Sequence, residues 1–180
     1  MRVITGKARG VQLKTPNGQL TRPTTDRVKE ALFSIIQFEI PGAAVLDLFG
    51  GTGQLGIEAL SRGAKSATFV DAREEACKLI RENLKRTKLE QDAKVVRADY
   101  MDYLKRSQDT YQIIFLDPPY AEVFLENALK CITEIDILQS GGIIVAERPV
   151  GKDLPWEFEG YSRSRDYKYG STLLTIYRKA

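Results

Sequence analysis

Short apolar runs recur along the chain, each followed by a segment of helical period or by turn residues. Ala43–Phe49, Ala67–Val70, Lys94–Ala98, Ile113–Leu116 and Ile143–Glu147 read as buried strands, because their apolar positions are contiguous rather than alternating. Between them lie helical patterns: one from the glycines after Phe49 through Arg62, one over Arg73–Arg86, one beginning at Met101 and one over Val123–Ile135. The Arg73–Arg86 helix should turn Ala76, Leu79, Ile80, Asn83 and Leu84 inward. Ahead of the first strand, Val28, Ala31, Leu32, Ile35 and Ile36 mark a helix capped by Thr25 or Asp26 and ended by Pro41–Gly42. Residues 1–20 predict a small hairpin or extended segment, with Val3, Ile4, Val11 and Leu13 as its apolar positions. After Pro149 the pattern changes to Tyr161–Tyr167 and Ser171–Tyr177, two strands joined through Lys168-Tyr169-Gly170. The succession predicts an α/β domain with a mostly parallel sheet and an antiparallel pair at its edge. No internal repeat, low-complexity tract or second core is evident.

Composition narrows the chemistry. A chain of 180 residues, 43% hydrophobic and 28% charged, suits one domain of ordinary size. No apolar run approaches the roughly 20 residues of a membrane helix, and the first residues have no signal-peptide core, so a cytoplasmic protein is expected. Cys77 and Cys131 lie far apart within helical patterns and read as buried thiols. There is no histidine, which removes Ser-His and Cys-His catalysis and every His-containing metal site; no metal is expected. The net charge of +3 is segregated. Residues 1–30 carry seven Lys or Arg against two acids, residues 161–180 carry five against one, and the middle is acidic. Basic ends suggest a polyanionic partner, with Arg2, Lys7, Arg9, Arg22, Arg27 and Lys168 as contacts.

The candidate chemistry gathers where strands end. Ile113–Leu116 runs into Asp117-Pro118-Pro119-Tyr120, which places a carboxylate and an aromatic ring at the carboxyl edge of the sheet, where ligands of open α/β sheets bind. The first strand runs into Gly50-Gly51-Thr52-Gly53-Gln54-Leu55-Gly56, a Gly-x-Gly-x-x-Gly match in the strand-to-helix context that gives it meaning. Asp71, at the end of the second strand, is spaced to hold the ribose of an adenosine ligand. Asp47 precedes the glycines: it would repel a pyrophosphate but attract the ammonium and sulfonium of S-adenosylmethionine, or it caps the glycine turn. Asp99 ends the third strand, either accepting from an adenine amino group or capping the next helix.

These residues resemble the Rossmann-like S-adenosylmethionine-dependent methyltransferases. More narrowly, the chain is similar to the bacterial 16S ribosomal RNA guanine-N2 methyltransferases of the RsmD type, on Arg22–Phe33, Val45–Phe49, Leu60–Ala64, Asp117–Tyr120 and Tyr169–Gly170. Its loop departs from the family's usual Phe-Ala-Gly-Ser-Gly-Ala-Leu-Gly by small-for-small changes, and Asp71 stands where Glu is frequent. The resemblance implies a seven-stranded sheet with an antiparallel C-terminal hairpin, a basic N-terminal extension over residues 1–40 and a methyltransferase domain over 41–180 in one compact, monomeric unit. It implies S-adenosylmethionine held by Asp47, Phe49, Gly50, Gly51, Gly53, Asp71, Ala72, Asp99, Tyr100 and Asp117. The acceptor amine would be oriented by Asp117 and the Pro118 carbonyl, with Tyr120 stacked on the base, and the partner would be 16S rRNA in an assembling small subunit. The alternatives are a DNA adenine-N6 methyltransferase and a non-catalytic RNA-binding assembly module. A glutamine methyltransferase is disfavoured by Asp117, and an NAD-dependent dehydrogenase by Asp47.

Overall fold

The computed structural model describes residues 1–16, 23–119, 122–151, 153–155 and 157–180. The predicted alternation is present as α1 (Pro23–Ile35), β1 (Ala44–Asp47), α2 (Gln54–Ser61), β2 (Ser66–Asp71), α3 (Glu74–Thr87), β3 (Ala93–Arg97), α4 (Tyr100–Arg106), β4 (Tyr111–Leu116), α5 (Glu122–Ile135), β5 (Leu138–Pro149), β6 (Glu157–Phe158), β7 (Tyr161–Tyr169) and β8 (Thr172–Lys179). They form one sheet of order β3-β2-β1-β4-β5-β8-β7-β6. β1 to β5 are mutually parallel and β6 to β8 antiparallel, so the expected mostly parallel sheet is observed, with the two-residue β6 added outside the seven expected strands. The strand order reverses between β1 and β4, which opens the crevice at their carboxyl ends.

Each central strand is buried on both faces, as its unbroken apolar run requires. Val45, Phe115 and Val145 belong to one core layer, while Leu46, Ile114, Leu116 and Ala146 belong to the other. Gly56 in α2 permits close approach to β2, since a Cβ there would lie 2.3 Å from the Phe69 ring. Two boundaries differ from expectation. Helix α1 begins at Pro23 rather than after a Thr25 or Asp26 cap, and proline is well suited to a first helical turn, where its missing donor costs nothing. β5 begins at Leu138 rather than Ile143, because Gly141 and Gly142 sit in an irregularity of the strand instead of a turn: the β4–β5 register shifts between Tyr111 and Ile113, and Gly141 has φ 75°.

The N-terminal segment is tied down by polar bonds rather than by a long ladder. Arg2 and Gln12 form a single bridge, with Val3 donating to Val11 O and Gly10 to Val3 O, so the expected hairpin is present in reduced form. Val3, Ala8 and Leu13 pack into the core. The fully buried Glu58 of α2 accepts from the amides of Ile4 at 2.9 Å and Thr5 at 3.1 Å, pairs with Arg62 at 2.9 Å and faces the buried Lys29 at 3.9 Å. Lys29 donates to Arg2 O, and its burial pulls its ammonium pKa below the usual lysine range. Asn83 of α3 accepts from the Lys14 amide and donates to Thr52 O, joining the segment to the glycine loop. Replacing Glu58 by Ala would leave a buried cation and two amides without their acceptor, so Glu58→Ala should lower the unfolding free energy by about 3–5 kcal/mol in urea titrations. A loss below about 1 kcal/mol would show that the segment is not held this way.

Candidate active site

Three acids converge on one face of the carboxyl edge. Asp47 ends β1, Asp117 follows β4 and Glu147 lies near the end of β5. Strand alternation sets them on the face of Val45, Phe115 and Val145, and the Leu116–Ala146 pairing makes Asp117 and Glu147 cross-strand neighbours. Asp47 is 1% exposed and its Oδ2 accepts from the Gly56 amide at 3.1 Å, so the capping role is realised. Desolvation nevertheless raises its carboxyl to about 8, against the lowering effect of that bond, and the charges of Asp117 and Asp71 add to the rise. Glu147 is raised to about 8 by desolvation and then by the charge of Asp117. Asp117 keeps some exposed surface, yet its carboxyl is enclosed closely enough for desolvation to raise it to about 6. Among the described residues neither Asp117 nor Glu147 has a hydrogen-bond or ion-pair partner. For each acid the folded pKa exceeds the unfolded one, so the acid's favourable contribution is complete below pH ~4 and is lost as pH rises through the raised value. A cationic or donor-bearing ligand would offset that loss.

The glycine loop closes over this edge. Gly50 donates to Val70 O at 2.8 Å and Gly53 to Gly50 O at 2.7 Å; Gly53 sits at φ 82° before α2, where a Cβ would press on Ile57 and Ile80 at 3.2–3.3 Å. Asp71 accepts from the Gly51 amide at 3.0 Å and from the amide and guanidinium of Arg73. A ribose at Asp71 would therefore compete with Arg73, whose side chain is 66% exposed and free to swing away. Ala72 is exposed beside it. Asp99 caps α4 through the amides of Met101 and Asp102, both on Oδ1, which leaves Oδ2 facing outward. Phe49 and Tyr100 stand 5.1 Å apart, and Phe124 closes the cluster at 5.5 Å from Tyr100. An adenosine ligand whose cationic group reaches Asp47 fits this cradle: backbone amides and glycines lie on one side, aromatic rings on another, and acids take the ribose and the charge.

The residues expected to meet cofactor and acceptor are thus brought together among the described residues, while the basic positions are not; Tyr120 and Arg22 lie outside the described residues. Pro118 is half-buried directly after Asp117. Glu147 escaped the sequence reading because it looked like the last residue of an apolar strand; an acid ending such a strand next to Asp117 was the available signal. The basic positions divide. Arg27, in the early turns of α1, and Lys168, beside the β7–β8 turn that pairs with the end of β5, lie toward the carboxyl edge and are exposed. Lys7 donates its amide to Ser61 O at the far end of α2, so Lys7 and nearby Arg9 mark the opposite edge, with exposed Arg2 between. Much of the basic C-terminus is engaged internally: Arg163 with Asp166 and Asp153, Arg178 with Glu39, and Lys179 with Asp136.

Known proteins resemble this chain in sequence and in fold. The Bacillus subtilis protein YlbH, named provisionally as an rRNA methyltransferase, is 42% identical over 99% of both chains. The Escherichia coli K12 Ribosomal RNA small subunit methyltransferase D is 33% identical over 99% of this chain and 90% of its own. Among solved structures, Escherichia coli yhhF superposes with TM-score 0.90 at 31% identity over 99% and 97% of the two chains. A more distant structure complexed with SAH shares the fold, at TM-score 0.67 and 20% identity over 87% of this chain and 50% of that one. The resemblance to the RsmD type is borne out at the level of the family. The match to the family described as conserved hypothetical protein 95 extends over residues 1–178, and the chain belongs to that family.

Proposed function

We propose that this protein transfers a methyl group from S-adenosylmethionine to the N2 amine of a guanine in 16S rRNA, acting as a monomer on an assembling small subunit in the cytoplasm. The observation that carries the reading is the desolvated, unpartnered Asp117 placed across the strand reversal from Asp47 and its glycine loop. The cofactor supplies an electrophilic methyl on sulfur. Asp47, at the end of β1, stands where it would balance the cofactor's positive charge, and the Phe49–Tyr100 pair would bound its adenine.

On the acceptor side, an exocyclic amine is a weak nucleophile because its lone pair is shared with the ring. Hydrogen bonds from its N–H groups to the Asp117 carboxylate and the Pro118 carbonyl would turn the nitrogen toward the methyl carbon, and the effect is one of position and polarisation. In such a transfer the nitrogen lone pair would form the new C–N bond as the C–S pair returned to sulfur, and the Asp117 carboxylate would be placed to take the amine proton. The base must be unstacked to reach the edge, with Tyr120 as its stacking partner. Relatives named for small-subunit rRNA methylation support an RNA acceptor.

Undermodified small subunits, free 16S rRNA and duplex DNA, each incubated with methyl-labelled S-adenosylmethionine and digested to nucleosides, should give label in N2-methylguanosine, with small subunits the preferred substrate. Label in N6-methyladenine would overturn the reading. Asp117→Ala should reduce turnover by about 10³-fold while cofactor affinity stays within a few-fold. Charge reversal at Arg27 and Lys168 should weaken RNA binding and reduce the slope of log K against log salt by about two units; the same change at Lys7 and Arg9, at the opposite edge, should do less. Equal effects of the two pairs would place the RNA elsewhere.

A further inference from the structure

We infer that Glu147 is the residue that selects guanine, accepting the ring N1–H beside the amine held by Asp117. The inference rests on the guanine-N2 reading and adds a residue to it. Glu147 and Asp117 are cross-strand neighbours at the carboxyl edge by the register of β4 and β5, and neighbouring strands lie about 4.8 Å apart. Both carboxyls are desolvated, and among the described residues neither has a protein donor. Both residues are half-buried at the edge, and two adjacent enclosed acceptors without protein donors mark a place where a ligand can bring the donors.

The surroundings hold Glu147 in place. On one side it pairs with Leu174 of β8. The next residue, Arg148, turns to the other face and is anchored by Thr175 at 3.0 Å and Asp166 at 2.9 Å. Thr175 in turn donates to Asp166 at 2.8 Å, and Arg163 joins the same carboxylate. This buried network fixes the strand end that presents Glu147, and Asp117 is the first residue past the end of the paired strand β4.

The pattern of two adjacent acceptors matches one base edge. Guanine presents N1–H and the N2 amine side by side, both donors, whereas adenine sets its amine next to a bare N1 that accepts. Asp117 alone accepts equally well from either amine. As a carboxylate Glu147 supplies the second acceptor, which guanine satisfies and a bare ring nitrogen leaves unpaired; while it keeps its proton, below its raised value of about 8, it can also donate to a bare nitrogen, so the discrimination belongs to the ionised form. Sites built around such buried pairing reject analogues that lack the donor far more strongly than apolar pockets reject a missing methylene.

The test uses small subunits carrying either guanine or 2,6-diaminopurine at the methylated position, introduced by RNA ligation once wild-type label has located it. Diaminopurine keeps the N2 amine but has a bare N1. Above pH ~8, where Glu147 is ionised, the wild type should favour guanine by about 10²-fold or more in kcat/KM, and the preference should shrink as pH falls. Glu147→Gln, whose amide can donate to N1, should lower kcat/KM on guanine by about tenfold, leave cofactor Kd within about twofold, and shrink the guanine preference by at least about tenfold. Glu147→Asp should retain the preference at reduced rate. If Glu147→Gln binds cofactor normally and keeps the full preference, Glu147 is not the selector, even though wild-type label in N2-methylguanosine would leave the proposed reaction intact. If wild-type label appears in another nucleoside, the proposed reaction itself is wrong.

Discussion

The structure depends on carboxylates that the sheet delivers into a poorly hydrated edge and leaves incompletely paired. Asp47, Asp117 and Glu147 stand at the ends of three adjacent parallel strands, and desolvation is the largest influence on each. In the protein alone this arrangement works against stability. In the proposed reaction its counterpart would be a ligand pair with the opposite character, a cation on the β1 side and N–H donors on the β4–β5 side. Stability given up at the edge would then become selectivity for what binds there.

The N-terminal segment belongs to the same arrangement. Glu58 holds Ile4 and Thr5 against α2, Asn83 links Lys14 to Thr52 of the glycine loop, and the Thr52 hydroxyl lies 3.3 Å from Met1 Sδ. These bonds replace the strand ladder that a longer hairpin would have made. They fix the loop from the outer side while Gly50 and Asp71 fix it from the sheet side. The basic segment is thus part of the glycine loop's support.

Much of this was legible in the residues. Contiguous apolar runs gave the parallel strands, and acids or glycines at their ends gave the ligand edge, because burial on both faces forces polar residues to the strand termini. What escaped was long-range or conditional. Lys29 and Glu58 read as exposed charges on amphipathic helices, and only the docked N-terminal segment buries them. The basic C-terminus read as a free patch, yet Arg163, Arg178 and Lys179 are consumed by acids distant in sequence or brought close by the hairpin. Asp47 and Asp99 kept two readings because a carboxylate can hold a backbone amide and a ligand at once; the structure shows the first. The sequence starts the fifth strand at Ile143, after Gly141-Gly142, because glycine marks turns and strand irregularities alike.

The central claim is that the buried Asp47 carboxyl holds its proton until positive charge arrives. It is tested most directly by calorimetric titration of S-adenosylmethionine at pH 7 in buffers of different ionisation enthalpy, with wild type and Asp47→Asn compared. With the Asp47 carboxyl raised to about 8, the unliganded protein carries that proton at pH 7, and binding a cation favours its loss. The account predicts that the wild type releases close to one proton more than Asp47→Asn. Equal proton release by the two proteins, with binding intact, would contradict it.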